Sequence, residues 1–378
     1  MSDTQITEIS LMPPTTRRDD RLRYLIAVPG AWAKRNLFSS WSSTAITLLL
    51  GYFLCRTAIS AIEWGILQAV WTAPPRDSEA CRIMQGSGAC WALVHEKLRF
   101  ILFGPYPFAE QWRPAAAILV FLSLYLVSAL RSFWRPAIIL IWAAGLAAIV
   151  VLMRGGIFGL PLVPTDAWGG LPITLILATF GITAAFPLAV FVALGRRSPL
   201  PVIRWLCVSY VELIRGVPLI SLLFVASVIF PLFMPDGIHL DKLLRAQVAI
   251  ILFAGAYLAE VIRGGLQSLP KGQFEAADAL GLAYHQKITR IILPQALRKV
   301  IPPLVNTFIA LFKDTSLVSI VGIFDLLTAA KTSISEPIWQ GFSIEVYATV
   351  AAIYFIFCYA MSRYSRSLET KLRISHRA

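Results

Sequence analysis

Runs of about 20 apolar residues recur along most of this chain, separated by short charged stretches, and a run of that length wound as an α-helix matches the hydrocarbon thickness of a bilayer. Inside a bilayer each backbone N–H and C=O must find its partner within the protein, so such runs become helices. We read eight: roughly 44–70, 115–130, 137–153, 171–194, 205–233, 246–267, 302–324 and 345–363. The second and third are short, which leaves a re-entrant pair as an alternative to two full spans. The fifth is interrupted at Gly216-Val217-Pro218. The fold class expected is therefore an all-α integral membrane protein of about eight transmembrane helices.

Composition agrees: 57% of residues are apolar and 15% charged, a balance unlike that of ordinary soluble proteins. The net charge of +13 does not point to nucleic acid, because the Lys and Arg residues lie between the apolar runs and form no single basic patch with interleaved aromatics. That is how loops held in the cytoplasm look, and it places both termini there. Residues 1–40 are polar and the first apolar run is too long for a signal-peptide core, so no cleavable signal is expected. Trp64, Trp71, Trp91, Trp112, Trp134 and Trp168 fall near span ends and read as interfacial anchors. The segment 91–103 reads as an amphipathic helix at the outer surface.

Catalytic chemistry finds no foothold. No nucleophile, base and orienting group are arranged together, and His95-Glu96 is not a zinc motif because Arg99 stands where the second histidine would be. No metal site and no cofactor bound by this chain are expected, and the chain lacks any Gly-Lys dipeptide, so it carries no phosphate-binding loop of the GxxxxGK[ST] kind. Cys55, Cys207 and Cys358 lie in or beside apolar runs and read as small buried hydrophobes. Cys81 and Cys90 bracket a Gly-containing stretch of an outer loop, where either a disulfide or two free thiols would fit.

The stretch 268–296 leaves the membrane. Pro270 suits a first helical turn, Phe274, Ala277 and Gly281 recur on one smooth face, and Gly281 permits a sharp turn. A second helix follows, with Tyr284, Ile288, Ile291 and Ile292 on one stripe, and Pro294 is expected to end it. Such a hairpin could lie on the lipid surface or insert into a groove on another protein. Ionisable residues inside spans are costly unless paired or wetted. Glu212 with Arg215, and Glu260 with Arg263, sit at i, i+3 and read either as same-helix pairs anchoring helix ends or as a gate that exchanges partners. Lys313-Asp314-Thr315-Ser316 stands mid-span, so these residues, with Asn306, are either satisfied by neighbouring helices or line a pathway.

The pattern Glu275-Ala276-Ala277, then Gly281, then Ile291 and Leu293-Pro294, resembles the EAA loop of permease subunits of bacterial ABC importers. "YVELIRGVPLISLLF" (210–224), "AYLAEVIRGGLQSLPKGQFEAADALGL" (256–282) and "LPQALRKVIPPLVNTFIALFKDTSLVSIVG" (293–322) look like the polar-amino-acid branch, the histidine and general L-amino-acid permeases. The added helices before residue 170 are similar to the longer permease subunit of the general L-amino-acid transporters. The resemblance implies a type I permease core of five helices (169–367) with the coupling loop at 268–296, preceded by an extension of three helices (41–168) that includes a periplasmic loop (72–113), and flanked by cytoplasmic segments 1–40 and 368–378. It implies that Phe274, Glu275, Ala276, Ala277, Gly281 and Leu282 contact a separate dimer of ABC ATPases, which holds ATP and Mg. It also implies a second, homologous permease, a periplasmic amino-acid-binding protein and an L-amino-acid substrate, in the bacterial inner membrane. Where the family often has Thr and Gln around the proline of 215–223, this chain has Val217 and Leu222, so the partner permease is expected to supply most ligand contacts. The competing function is an ion-gradient-driven carrier, which assigns no work to the hairpin.

Overall fold

The computed structural model describes residues 31–134, 136–235, 237 and 240–374; most of the expected segment 1–40 and the end of the tail 368–378 lie outside them. Among the described residues seven helices are long and apolar enough to cross a membrane, with a further bent pair at 201–233 that can count as an eighth span. The chain divides into two units, one comprising residues up to Val70 together with Met84–Ala89, the other Trp71–Ile83 and everything from Cys90 onward.

The first unit is built on α1 (Trp41–Ile62), whose N-terminus is capped by Ser40 accepting from the Ser43 N–H. The helix runs on through a π turn (Glu63–Leu67), and Ala89 closes the unit by donating to the Trp64 carbonyl and accepting from the Val70 N–H, both at 2.8 Å.

The second unit contains α2 (Glu79–Ile83), α3 (Trp91–Phe103), α4 (Trp112–Ala129), α5 (Ala137–Arg154), α6 (Gly170–Gly195), α7 (Pro201–Arg215), α8 (Leu219–Phe224), α9 (Lys242–Gln267), α10 (Lys271–Ala279), α11 (Tyr284–Gln286), α12 (Leu293–Lys299), α13 (Ile301–Asp314), α14 (Leu326–Ser333) and α15 (Ser343–Ile374). Its division thus falls at Val70, and α4 and α5 belong with the C-terminal helices. Each has 18 residues, a length of about 27 Å at 1.5 Å per residue, so each is long enough to cross by itself.

The axis of this unit is the packing of α6 along α9. Their buried residues include Gly181, Ala185, Ala189, Ala246, Ala249, Ala256 and Ala259. Between lipid-embedded helices water exclusion supplies little drive, and small side chains let backbones approach closely enough for dispersion to hold them. Where α4 enters the unit, the fully buried Arg113 donates to the carbonyls of Leu152 (2.6 Å), in the last turn of α5, and Pro161 (2.9 Å), in the loop that follows it. Tyr106 donates to the neighbouring Met153 carbonyl at 2.9 Å, and burial pushes its phenol up to about 12.

Four expectations are corrected. The segment 91–103 is helical, but α3 packs against α6 and α14 with Leu93 and Ile101 fully buried, so its apolar stripe faces protein. Trp168 is buried and donates to the Val163 carbonyl at 3.1 Å, unlike Trp71, Trp112 and Trp134, which are exposed. Cys55 is exposed and Cys207 and Cys358 are half-buried, where buried positions were expected. The interruption expected at Gly216-Val217-Pro218 is present as a bend of 102° between α7 and the arm Leu219–Phe233. Pro218 supplies no N–H and forces Val217 out of helical geometry, so the two arms cannot align. Pro294 does not end the second hairpin helix; it occupies the first turn of α12, where no donor is needed, and a π turn at Lys287–Ile292 absorbs the register change.

The extramembrane loop docks on the C-terminal half of the same unit. Cys81 and Cys90, both buried, are joined in a disulfide. Beside it the Arg82 guanidinium donates to the carbonyls of Pro337 and Ile338 at 3.3 Å, the Cys90 N–H to the Glu345 carboxylate at 3.0 Å, and Lys97 to Glu336 at 2.7 Å. Asp325 caps α14 by accepting from Leu327 and Thr328; burial pushes its carboxyl above the usual range, and those hydrogen bonds pull it back.

Candidate functional site

Two features meet at one end of the bundle. The first is the hairpin that follows α9. Pro270 takes the N-cap position, with the extended backbone it favours, and α10 begins at Lys271. Gly281 then reverses the chain at φ +68°, a left-handed conformation that a Cβ disfavours. Lys287 pairs with Asp278 across the turn, Gln295 donates to the Gln273 side chain at 2.9 Å, and Lys299 donates to the Ser268 carbonyl at 2.9 Å. The hairpin is anchored to α9 by close approach: a Cβ on Gly265 would lie 2.6 Å from Val300 and 2.9 Å from the Ala296 carbonyl oxygen.

The hairpin's outer rim differs from the expected contact face. Glu275, Ala276 and Gly281 are exposed, Phe274 and Leu282 are half-buried, and Ala277 is buried at 1% exposure. Leu280 and Tyr284, which sequence reasoning did not single out for contact, are strongly exposed on this rim. Ala277 and the inner stripe of Ile288 and Ile292 form the hairpin's own core. An exposed Leu next to a glycine turn was the available signal for the rim.

The second feature is an ion cluster. Glu260 accepts from Arg263 on its own helix, as the i, i+3 spacing predicts. Glu212, however, does not pair with Arg215. It pairs with Arg196 at the end of α6, at 2.9 Å, and the other arm of Arg196 reaches Glu260 at 2.7 Å. Arg215 instead lies 3.9 Å from Glu260. One arginine that sequence spacing did not flag thus ties α6, α7 and α9 together.

The mid-span residues separate into two groups. Asn306 and Lys313 are exposed on one face of α13, with Pro303 and Ala310 between and beside them at helical spacing, and Asp314 is half-buried. Neither Lys313 nor Asp314 takes part in any ion pair among the described residues. Thr315 turns inward, buried, and donates to the Phe312 carbonyl at 2.7 Å; Ser316 donates to the Lys313 carbonyl at 2.8 Å. Beyond Asp314 the helix tightens to a 3₁₀ segment ending at Val321.

Comparison with known proteins places this architecture. Residues 185–374 match the family described as the inner membrane component of binding-protein-dependent transport systems. The inner membrane amino-acid ABC transporter permease protein YhdY of Escherichia coli K12 is 47% identical over 346 residues, covering 90% of this chain and 92% of that protein. The glutamate/glutamine/aspartate/asparagine transport system permease protein BztC of Rhodobacter capsulatus is 35% identical and is matched along the whole of both chains. A crystal structure of an amino acid ABC transporter with histidines is 32% identical over 53% of this chain and 92% of that one, with a TM-score of 0.48. The chain belongs to the family of inner membrane permease components of binding-protein-dependent transport systems.

Proposed function

We propose that this chain is one permease subunit of an ATP-driven importer of polar L-amino acids in a bacterial inner membrane, with both of its ends in the cytoplasm. The observation that carries this reading is the hairpin rim. Glu275, Ala276, Leu280, Gly281 and Tyr284 face outward from a hairpin that is tied on its other side to α9 and α12. A rim with a small-residue centre, a carboxylate and two large apolar side chains suits a protein groove; the carboxylate would be repelled by an anionic lipid surface. The groove belongs to a dimer of cytoplasmic ATPases, which holds ATP and Mg, since this chain has no phosphate-binding loop of its own.

The pathway lies along the uncovered face of α13. An exposed lysine facing lipid in mid-span is costly, so this face is covered in the assembly by a second, homologous permease, with Asn306, Lys313 and Asp314 lining the seam between them. A zwitterionic ligand needs a cation and an anion at close range; Lys313 and Asp314 place one of each along the pathway, while the second permease supplies most of the ligand contacts. The amino-acid class is supported by the names of the two relatives matched over most of their length. A periplasmic binding protein delivers the ligand. The test is reconstitution in proteoliposomes with the ATPase, the second permease and the binding protein: uptake of labelled L-amino acids is expected to require ATP on the hairpin side. Uptake by the chain alone along an ion gradient would overturn the reading.

A further inference from the structure

We infer that the dipeptide Arg196-Arg197, at the end of α6, is the linkage that carries movement of the hairpin into the helix bundle. This rests on the reading of the hairpin as the ATPase contact. The two arginines are neighbours in sequence but serve different structures. Arg197 sits 5.2 Å from the centre of the Phe274 ring on α10 and donates to the Leu266 carbonyl at the end of α9, at 3.2 Å. Arg196 turns the other way and bridges Glu212 and Glu260. Adjacent Cα atoms are about 3.8 Å apart across a trans peptide, so a shift of the Arg197 backbone with the hairpin is passed to Arg196.

The cluster on the receiving side is suited to switching. Three arginines, Arg196, Arg215 and Arg263, lie within 4 Å of the single Glu260 carboxylate. If Arg196 withdraws, Glu260 keeps a partner, so the exchange avoids the large penalty of stranding a partly buried charge. Glu212, by contrast, is largely exposed and loses little when released. Two arrangements follow, one with α6, α7 and α9 tied through Arg196 and one with α6 released while Arg215 on α7 keeps its place beside Glu260 on α9. Arg197 and Arg196 act as positioning residues and touch neither ligand nor nucleotide.

The test uses the assembled transporter in proteoliposomes, with an equimolar mixture of labelled L-amino acids, and reads transported ligand per ATP hydrolysed. Arg197→Met is expected to leave the ATPase bound and hydrolysing while this ratio falls roughly five- to a hundredfold. Arg197→Lys, which keeps a cation over the ring, is expected to restore most of it. Arg196→Met should lower the ratio by a similar factor. The double variant Arg197→Met/Phe274→Leu is expected to be no worse than the worse single change, because both act through one contact. An unchanged ratio, losses that multiply in the double variant, or failure of both the Met and Lys variants to assemble would each overturn the inference. If the unaltered complex needs no ATP, it is the proposed function that fails.

Discussion

Gly281 shows what a single residue can be asked. Its φ of +68° suits glycine, yet nothing lies within 4 Å of where a Cβ would stand. Gly281→Ala therefore costs only the left-handed backbone, about 1–2 kcal/mol, read as faster amide exchange over 271–279. Loss of ATPase co-purification by clearly more than the roughly tenfold that such a cost explains is expected, because the proposed ATPase contact would fill the space this chain leaves open. Loss no greater than that would mean the partner does not reach the turn. The left-handed turn at Gly281 and the exposure of Glu275 were legible in sequence because both depend on local conformation and polarity. Arg196 was not. Sequence spacing reveals partners on the same helix, and Arg215 stands three positions from Glu212, yet Arg196, 16 positions away at the end of another helix, takes it with a guanidinium that offers five donors in a fixed fork.

Among the elements, the extramembrane clamp makes the sharpest prediction. The Cys81–Cys90 bridge closes a short ring with a sequence separation of 9, and chain entropy assigns such a ring about 2–3 kcal/mol. Because Arg82 and the Cys90 N–H next to it hold Pro337, Ile338 and Glu345, Cys81→Ser is expected to lower the thermal midpoint of the purified protein. Dithiothreitol should do the same to the unaltered chain and have no further effect on the variant. An unchanged midpoint in both would show that the clamp holds without the bridge. The apolar runs announced the spanning helices to within a few residues at most of their ends because their length is imposed by the bilayer, although α15 continues past the expected 363 to Ile374. The course of the chain at Pro218 and Pro294 was not equally legible. A proline removes one donor in both places, and whether the helix bends by 102° or continues through a π turn depends on which neighbouring helices receive it.

At the scale of the whole molecule, the uncovered face of α13 predicts an assembly. Ala310→Cys, between Asn306 and Lys313 on that face, is expected to crosslink to the second permease when the complex is labelled there with a short thiol-reactive photocrosslinker and irradiated, and the yield should fall when a ligand fills the seam. Labelling of that position by a lipid-soluble probe alone would remove the partner from this face. The sequence by itself determined that the chain is helical, that it is embedded, and where a polar hairpin interrupts it, because bilayer thickness and backbone hydrogen bonding act on each segment separately. Only the tertiary structure decided that α4 and α5 join the C-terminal bundle, that Ala277 faces inward while Leu280 and Tyr284 face outward, and that Arg196 binds carboxylates on two other helices. Those outcomes depend on which helix faces which, and small residues packing at close range settle that only once distant segments have met.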